Sequence, residues 1–159
     1  MYNAGMKDIP ERVYVESSVV SGMFDANDHP KRAKPFWDAV FSGQIRVVLS
    51  DVLDGEVADA PSHVRKFYRS IPKLQIERVA STTESDALAE QYVLAGIVTE
   101  NSKNDSRHVA LASVARVDVL VSFNCTHIVK LHRIRKYNAI NALLGYPAIE
   151  IRTPDEVIQ

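Results

Sequence analysis

VYVESSVVSGMF, residues 13–24, sets a carboxylate and two hydroxyls between two apolar runs. Val13 to Val15 has the β-branched and aromatic character of a buried strand. Val19 and Val20 are apolar again. Glu16, Ser17 and Ser18 therefore fall where the strand ends, and the fold follows from what lies beyond them. Further strands are predicted over 45–50 (IRVVLS), 74–79 (LQIERV, at an edge), 117–123 (VDVLVSF) and the front of 149–159 (IEIRTPDEVIQ). The first strand itself runs over 12–16 (RVYVE). Helices are predicted over 29–43, 50–60, 62–71, 83–96, 103–116 and 133–145, with a short helical turn closing the chain. Pro30 suits a first helical turn, and Gly43, Gly96 and Gly145 suit helix ends. Ser50 caps its helix, with Asp51 and Asp54 at the positive end of the dipole, and Pro61 stops it. Thr83, Asn104 and Thr153 are placed as caps or helix starts. Strands alternating with helices predict one α/β domain over 1–159, its parallel sheet covered on both faces.

The bulk numbers fit that reading. The chain has 159 residues and a net charge of −1, so no overall basic signature marks it as a nucleic-acid binder. A local basic strip beside an acidic site remains compatible with that balance. Its one cysteine, Cys125, cannot form an internal disulfide, which makes a reducing cytoplasm the natural setting. The polar start, MYNAGMKDIPERV, lacks the apolar core of a signal peptide. No apolar run approaches the roughly 20 residues of a membrane span, so no membrane role is expected.

Topology brings four polar positions together. Glu16 ends the first strand and Asn124 ends the VDVLVSF strand, both at the carboxyl edge of the sheet. Asp105 lies in the first turn of a helix antiparallel to its strand, which starts at that edge. Glu56 lies in the helix after the second strand, which also starts there. Ligands of parallel α/β sheets collect at this edge. Glu56 shares a helix face with Val52 and Leu53, and Asp105 with Val109 and Ala112, so both acids are expected to look inward. Three crowded carboxylates repel unless some are protonated or a cation joins them. A hard divalent ion, Mg²⁺ or Mn²⁺, suits an all-oxygen site of this kind. Such an ion binds a phosphodiester oxygen and lowers the pKa of water, which points to metal-assisted phosphodiester hydrolysis. Ser17 or Ser18 is placed to position a carboxylate or a bound water.

At these residues the sequence resembles the PIN-domain ribonucleases, the fold of the VapC-like toxins of type II toxin–antitoxin modules. The matching pieces are VYVESSVVSGMFD, LSDVLDGEVADAP, KNDSRHVALA, VDVLVSFNCTHIV and IEIRTPDEVI, in the family's order. The resemblance implies a three-layer α/β/α sandwich around a parallel sheet and Mg²⁺- or Mn²⁺-dependent cleavage of RNA. It also implies frequent homodimers and a cognate antitoxin whose tail covers the site. By position, Glu16, Glu56 and Asp105 take the three acids as catalytic and metal-binding residues, and Ser18 takes the supporting serine. Asn124 falls where many members carry a fourth acid, as metal ligand or in its support. Glu16 stands for the more usual Asp, Ser17 for the common Thr, and Asn124 brings no charge. Three formal negatives suit one tightly held ion better than two.

Blander roles compete for the same residues. Asp105 is a dipole-friendly first-turn acid, Glu16 a strand-end acceptor, Glu56 a partly exposed side chain and Asn124 a turn residue. His108 and His127 read as structural donors, and a single cysteine with scattered histidines does not make a zinc site. The run HIVKLHRIRKYN (127–138) carries Lys130, Arg133, Arg135 and Lys136 just past the site, either as a solvated face or as a guide for RNA phosphates. Apolar faces of FWDAVF (36–41) and HVRKFYRSI (63–71) pack in the core or meet an antitoxin or a second copy. Two other functional classes stand beside the nuclease. One is a catalytically weakened PIN-like module that binds RNA or protein. The other is an α/β protein for a small phosphorylated ligand, disfavoured because no Gly-rich phosphate loop follows any strand.

Overall fold

In a computed structural model, residues 10–158 are described. Five strands form one all-parallel sheet: β1 (Arg12–Val15), β2 (Arg46–Ser50), β3 (Ile76–Val79), β4 (Val119–Val121) and β5 (Ile151–Arg152). Their order is β3-β2-β1-β4-β5, so β1 is central and β3 lies at an edge, as the sequence predicts for 74–79. Tyr14 pairs with Val48 on one side and Leu120 on the other. The chain steps outward from β1 to β2 and β3, then returns to the other side of β1 for β4 and β5. The reversal lies between β1 and β4. At such a switch point the connections diverge and leave a crevice at the carboxyl ends of the strands.

Both faces of the sheet are covered, which an all-parallel sheet requires. The two-residue period of each strand divides the core accordingly. Val13, Val15, Val47, Leu49, Val119 and Val121 pack on one side with Phe36, Trp37, Val40 and Leu53. Tyr14, Val48 and Leu120 pack on the other with Tyr92, Val109, Leu111 and Tyr137. The first side is supplied by α1 (Ser17–Ser21), α2 (His29–Phe41), part of α3 (Asp51–Ala58) and α4 (Ser62–Ser70), with Val157 and Ile158 of α8 (Pro154–Ile158) against it. The second is supplied by α5 (Thr83–Leu94), α6 (Lys103–Val114) and α7 (Leu131–Leu144). Each fully buried Val, Leu, Ile or Phe side chain contributes roughly 1.5–3 kcal/mol. None of the described helices is long and apolar enough to cross a membrane.

Local signals account for most boundaries. Ser50 accepts from Leu53 N at 3.2 Å and caps α3, with Asp51 and Asp54 in its first turn. Gly145 takes φ +84° where α7 ends, a conformation that a side chain resists. Three details differ from expectation. The helical turn α1 follows β1 at once, because the Glu16 side chain accepts from Ser18 N and caps it. Thr82, not Thr83, caps α5: Ser85 N donates to Thr82 Oγ1 and Thr82 N donates back to Ser85 Oγ, a reciprocal pair that fixes the start one residue earlier. Asn104 does not cap α6; its Oδ1 accepts from Arg107 instead.

The second face holds a closed polar group. Tyr92 OH donates to Asn141 Oδ1, and Asn141 Nδ2 donates to Ser113 Oγ at 2.9 Å and to Pro147 O at 3.3 Å. Burial pushes the Tyr92 phenol's pKa up. Asn141→Ala leaves these groups unpaired and should lower stability by about 1–3 kcal/mol. Lys34→Ala, which breaks only the exposed pair with Asp38, should change it by less than about 0.5 kcal/mol. Equilibrium urea unfolding measures both.

Candidate functional site

The crevice at the β1–β4 switch point is built around Glu16. Its backbone extends the strand pairing, Glu16 N donating to Val121 O at 3.1 Å. The residue is only 3% exposed. Oε2 accepts from Ser18 N at 2.8 Å, Ser18 Oγ at 2.5 Å and Ser122 Oγ at 3.1 Å. Oε1 accepts no hydrogen bond among the described residues and is not among their buried polar atoms left without a partner. Burial raises the carboxyl's pKa. The His108 ring and the Ser18 hydrogen bonds oppose that rise, and the nearby Glu56 adds to it.

Two serines join the end of β1 to the loop after β4. Ser18 Oγ accepts from Phe123 N at 2.8 Å, and Ser122 Oγ from Asn124 N at 2.9 Å. Phe123 is stacked on His29, ring centroids 4.1 Å apart, with the Arg32 guanidinium 5.1 Å from its centroid. The loop then turns on Asn124, whose Oδ1 accepts from Thr126 N at 3.2 Å and His127 N at 3.1 Å. Tyr137 OH holds His127 O at 2.9 Å. His127 Nδ1 in turn meets Asp105 Oδ2 at 2.8 Å. An unbroken path therefore runs from Glu16 through Ser122, Asn124 and His127 to Asp105.

Glu56 reaches the same edge from α3. Its Oε1 lies 2.5 Å from His108 Nε2, and its Oε2 accepts a long 3.4 Å bond from Ser17 Oγ. His108 Nδ1 lies 2.7 Å from Tyr14 OH, which lies 2.8 Å from Ser50 Oγ. Burial raises the Tyr14 phenol's pKa. Beside Glu56 a hollow lined by Asp51, Gly55, Asp59, Asn104 and Arg107 opens to solvent.

Glu16, Glu56, Asp105, Asn124 and Ser18 thus all lie at the carboxyl edge. Their side chains do not converge as a ready-made ion site. Among the described residues, no three His, Cys, Asp or Glu side chains are disposed to hold one ion. Each acid has instead taken a partner within the chain: serines for Glu16, His108 for Glu56 and His127 for Asp105. Asn124 serves the turn, and it bears on Asp105 through His127 rather than beside it. In donor chemistry the acids do suit a hard divalent ion. They present oxygen alone, and Glu16 Oε1 and Asp105 Oδ1 accept no hydrogen bond among the described residues.

The basic run begins where this loop ends. Lys130 precedes α7, and Arg133, Arg135 and Lys136 lie in its first two turns. Lys130, Arg135 and Lys136 are exposed; Arg133 is half-buried, its Nε without a partner among the described residues. Tyr14, Ser50, Ser122 and Arg107 join the site without having stood out as candidates in the sequence. Tyr14 carries one visible signal, a hydroxyl-bearing ring amid valines at the centre of an apolar strand. Ser122 carries another, a hydroxyl between Val121 and Phe123.

No protein-family model matches this sequence, and no curated protein does. Among solved structures the chain is similar to one in the crystal structure of VapBC2 from Rickettsia felis bound to a DNA fragment from their promoter. The two share 10% identity at a TM-score of 0.56, over 89% of this chain and 98% of that one. At that identity the likeness shows a shared fold, the parallel α/β arrangement expected of a PIN-like chain.

The raised pKa of Glu16 fixes a sign. Between the ordinary carboxyl range and the raised native value, the unfolded chain has lost the proton that the native state keeps. Stability therefore falls as pH rises through that window. Glu16→Gln, which imitates the protonated acid, should unfold at a higher temperature than wild type at pH 8 in chelator-treated buffer. A shift of about 2–4 °C is expected for each kcal/mol relieved. The gap should close as pH drops below the ordinary carboxyl range, as followed by thermal circular dichroism.

Proposed function

We propose that this chain is a Mg²⁺- or Mn²⁺-dependent ribonuclease of the PIN type, the toxin of a toxin–antitoxin pair, acting in the cytoplasm. The observation that carries the reading is the deeply buried Glu16 at the switch point, with Glu56 and Asp105 on the same edge. Burying a carboxylate with only serine donors and a neighbouring imidazole is costly, and a divalent cation is a partner that offsets the cost. Glu16, Glu56 and Asp105 would hold the ion, with Ser18 fixing Glu16 and Asn124 fixing the loop that carries His127. The chemistry such an ion supplies is a water of lowered pKa and neutralised charge on a phosphodiester oxygen. Lys130, Arg133, Arg135 and Lys136 would receive RNA phosphates next to the crevice, steering the strand by charge. A protein antitoxin and a homodimer belong to this reading; the structural neighbour is itself part of a VapBC2 complex.

One observation favours a second reading. The acids are paired within the chain rather than converged, as in a PIN-like module that binds RNA or protein without cutting. Incubation of single-stranded and structured RNA with the full chain and Mn²⁺ separates the two. The nuclease reading expects cleavage that EDTA abolishes and that Asp105→Asn lowers about 10- to 100-fold. Cleavage indifferent to Asp105→Asn removes Asp105 from the ion site, and RNA bound without any cleavage supports the module.

The basic strip gives an independent measurement. Replacing both Arg133 and Arg135 by Gln should weaken RNA binding. The slope of log K against log salt should flatten by about 0.7 for each phosphate that the strip no longer neutralises. An unchanged slope in filter binding across a salt series removes the strip from the interface.

A further inference from the structure

Tyr14 and His108 are both fully buried, the one in the central strand, the other a turn beyond Asp105 in α6. Their polar atoms lie in one line with two groups of α3. Ser50 Oγ, the cap of α3, is 2.8 Å from Tyr14 OH; the phenol is 2.7 Å from His108 Nδ1; His108 Nε2 is 2.5 Å from Glu56 Oε1. The line leaves α3 at its cap, Ser50, and returns to it at Glu56, about one and two-thirds turns later. It therefore ties the rotation of α3 about its own axis to β1 and α6.

The end of the line sets its direction. A carboxylate only accepts, so Nε2 carries the proton that faces Glu56. In the neutral ring Nδ1 is then an acceptor and takes the Tyr14 hydroxyl proton. The phenol oxygen accepts from Ser50 Oγ, which itself accepts from Leu53 N at 3.2 Å. With this tautomer every polar atom of the line is satisfied. With the other, Nε2 and Glu56 face each other as two acceptors, and Tyr14 loses the acceptor for its proton.

We propose that Tyr14 and His108 are positioning residues for Glu56. They select one imidazole tautomer, hold Oε1 from behind, and leave Oε2 directed toward Ser17 and the crevice. This rests on the reading of Glu56 as an ion ligand. Packing alone does not call for the arrangement. Two apolar side chains of similar volume would fill the space between Val109 and the central strands with no hydrogen bonds to satisfy. Partners behind a ligand that fix its orientation are a recurring need of metal sites.

The test uses the full chain as wild type, Tyr14→Phe, His108→Leu and His108→Gln. The readouts are ring ¹⁵N shifts of His108, Mn²⁺ affinity by titration, and RNA cleavage at several Mn²⁺ concentrations. Wild-type His108 should show the Nε2–H tautomer. Tyr14→Phe should mix the tautomers, and both Tyr14→Phe and His108→Leu should weaken Mn²⁺ binding about 10- to 100-fold. Their kcat should fall at low Mn²⁺ and recover at high Mn²⁺, with KM for RNA unchanged. His108→Gln, which keeps an N–H donor for Glu56, should recover most of the affinity. An Nδ1–H tautomer or a doubly protonated ring in wild type, or wild-type Mn²⁺ affinity in Tyr14→Phe and His108→Leu, overturns the proposal while leaving the nuclease reading intact. A wild type that neither binds Mn²⁺ nor cuts RNA overturns both. If His108→Leu does not fold, Tyr14→Phe, which removes a single oxygen, decides the matter.

Discussion

A carboxylate almost wholly removed from water holds the carboxyl edge of this sheet together. Glu16 receives three donors on one oxygen, two from Ser18 and one from Ser122. Those donors belong to the chain after β1 and the chain after β4. The same two hydroxyls accept the backbone N–H groups of Phe123 and Asn124. One buried carboxyl group thereby sets the start of α1 and the path of the loop that leads to His127. An unpaired carboxylate in such surroundings is strongly disfavoured, so the local backbone is bound to keep these donors in place.

The period of the strand couples this acid to the rest of the site. Residues 14 and 16 are two apart in extended chain and point to the same side of the sheet. That side is the one covered by α6. Glu16 therefore lies within electrostatic reach of His108, whose ring lowers its pKa, and of Glu56, which raises it. Shifting the register of β1 by one residue would turn both Tyr14 and Glu16 to the opposite face and dismantle the two hydrogen-bond systems together. The order β3-β2-β1-β4-β5 adds the other half, since only a switch between β1 and β4 brings Ser122 beside Glu16.

Much of this is legible in the sequence because it follows from direction and parity. Strands that alternate with helices give a parallel sheet, and a parallel sheet assigns Glu16, Glu56, Asp105 and Asn124 to one edge without knowledge of any side-chain contact. Strand order and side-chain partners are not legible. His108 and Glu56 are 52 residues apart, and Ser122 and Glu16 are 106 apart, so no local spacing announces either pair. The cap of α5 is ambiguous by one residue because Thr82 and Thr83 are both good caps. Only Ser85, reciprocating at the third helical position, separates them. The turn α1 is hidden because its cap is a glutamate, a residue outside the usual Ser, Thr, Asp and Asn set.

The paired state of the acids bears on what kind of site this is. A metal site whose ligands already converge stores repulsion in the absence of the ion. Here Glu56 and Asp105 each face an imidazole whose other contacts lie in a different layer: His108 reaches the central strand through Tyr14, and His127 lies in the loop held by Asn124 and Tyr137. Such an arrangement leaves one oxygen of Glu16 and one of Asp105 unengaged among the described residues. A module retained only for binding has no need of a directed line from Ser50 through two buried polar rings to Glu56, because apolar side chains satisfy the same space with fewer conditions. On the reading proposed above, that line in the centre of the fold serves to hold Glu56 at the carboxyl edge.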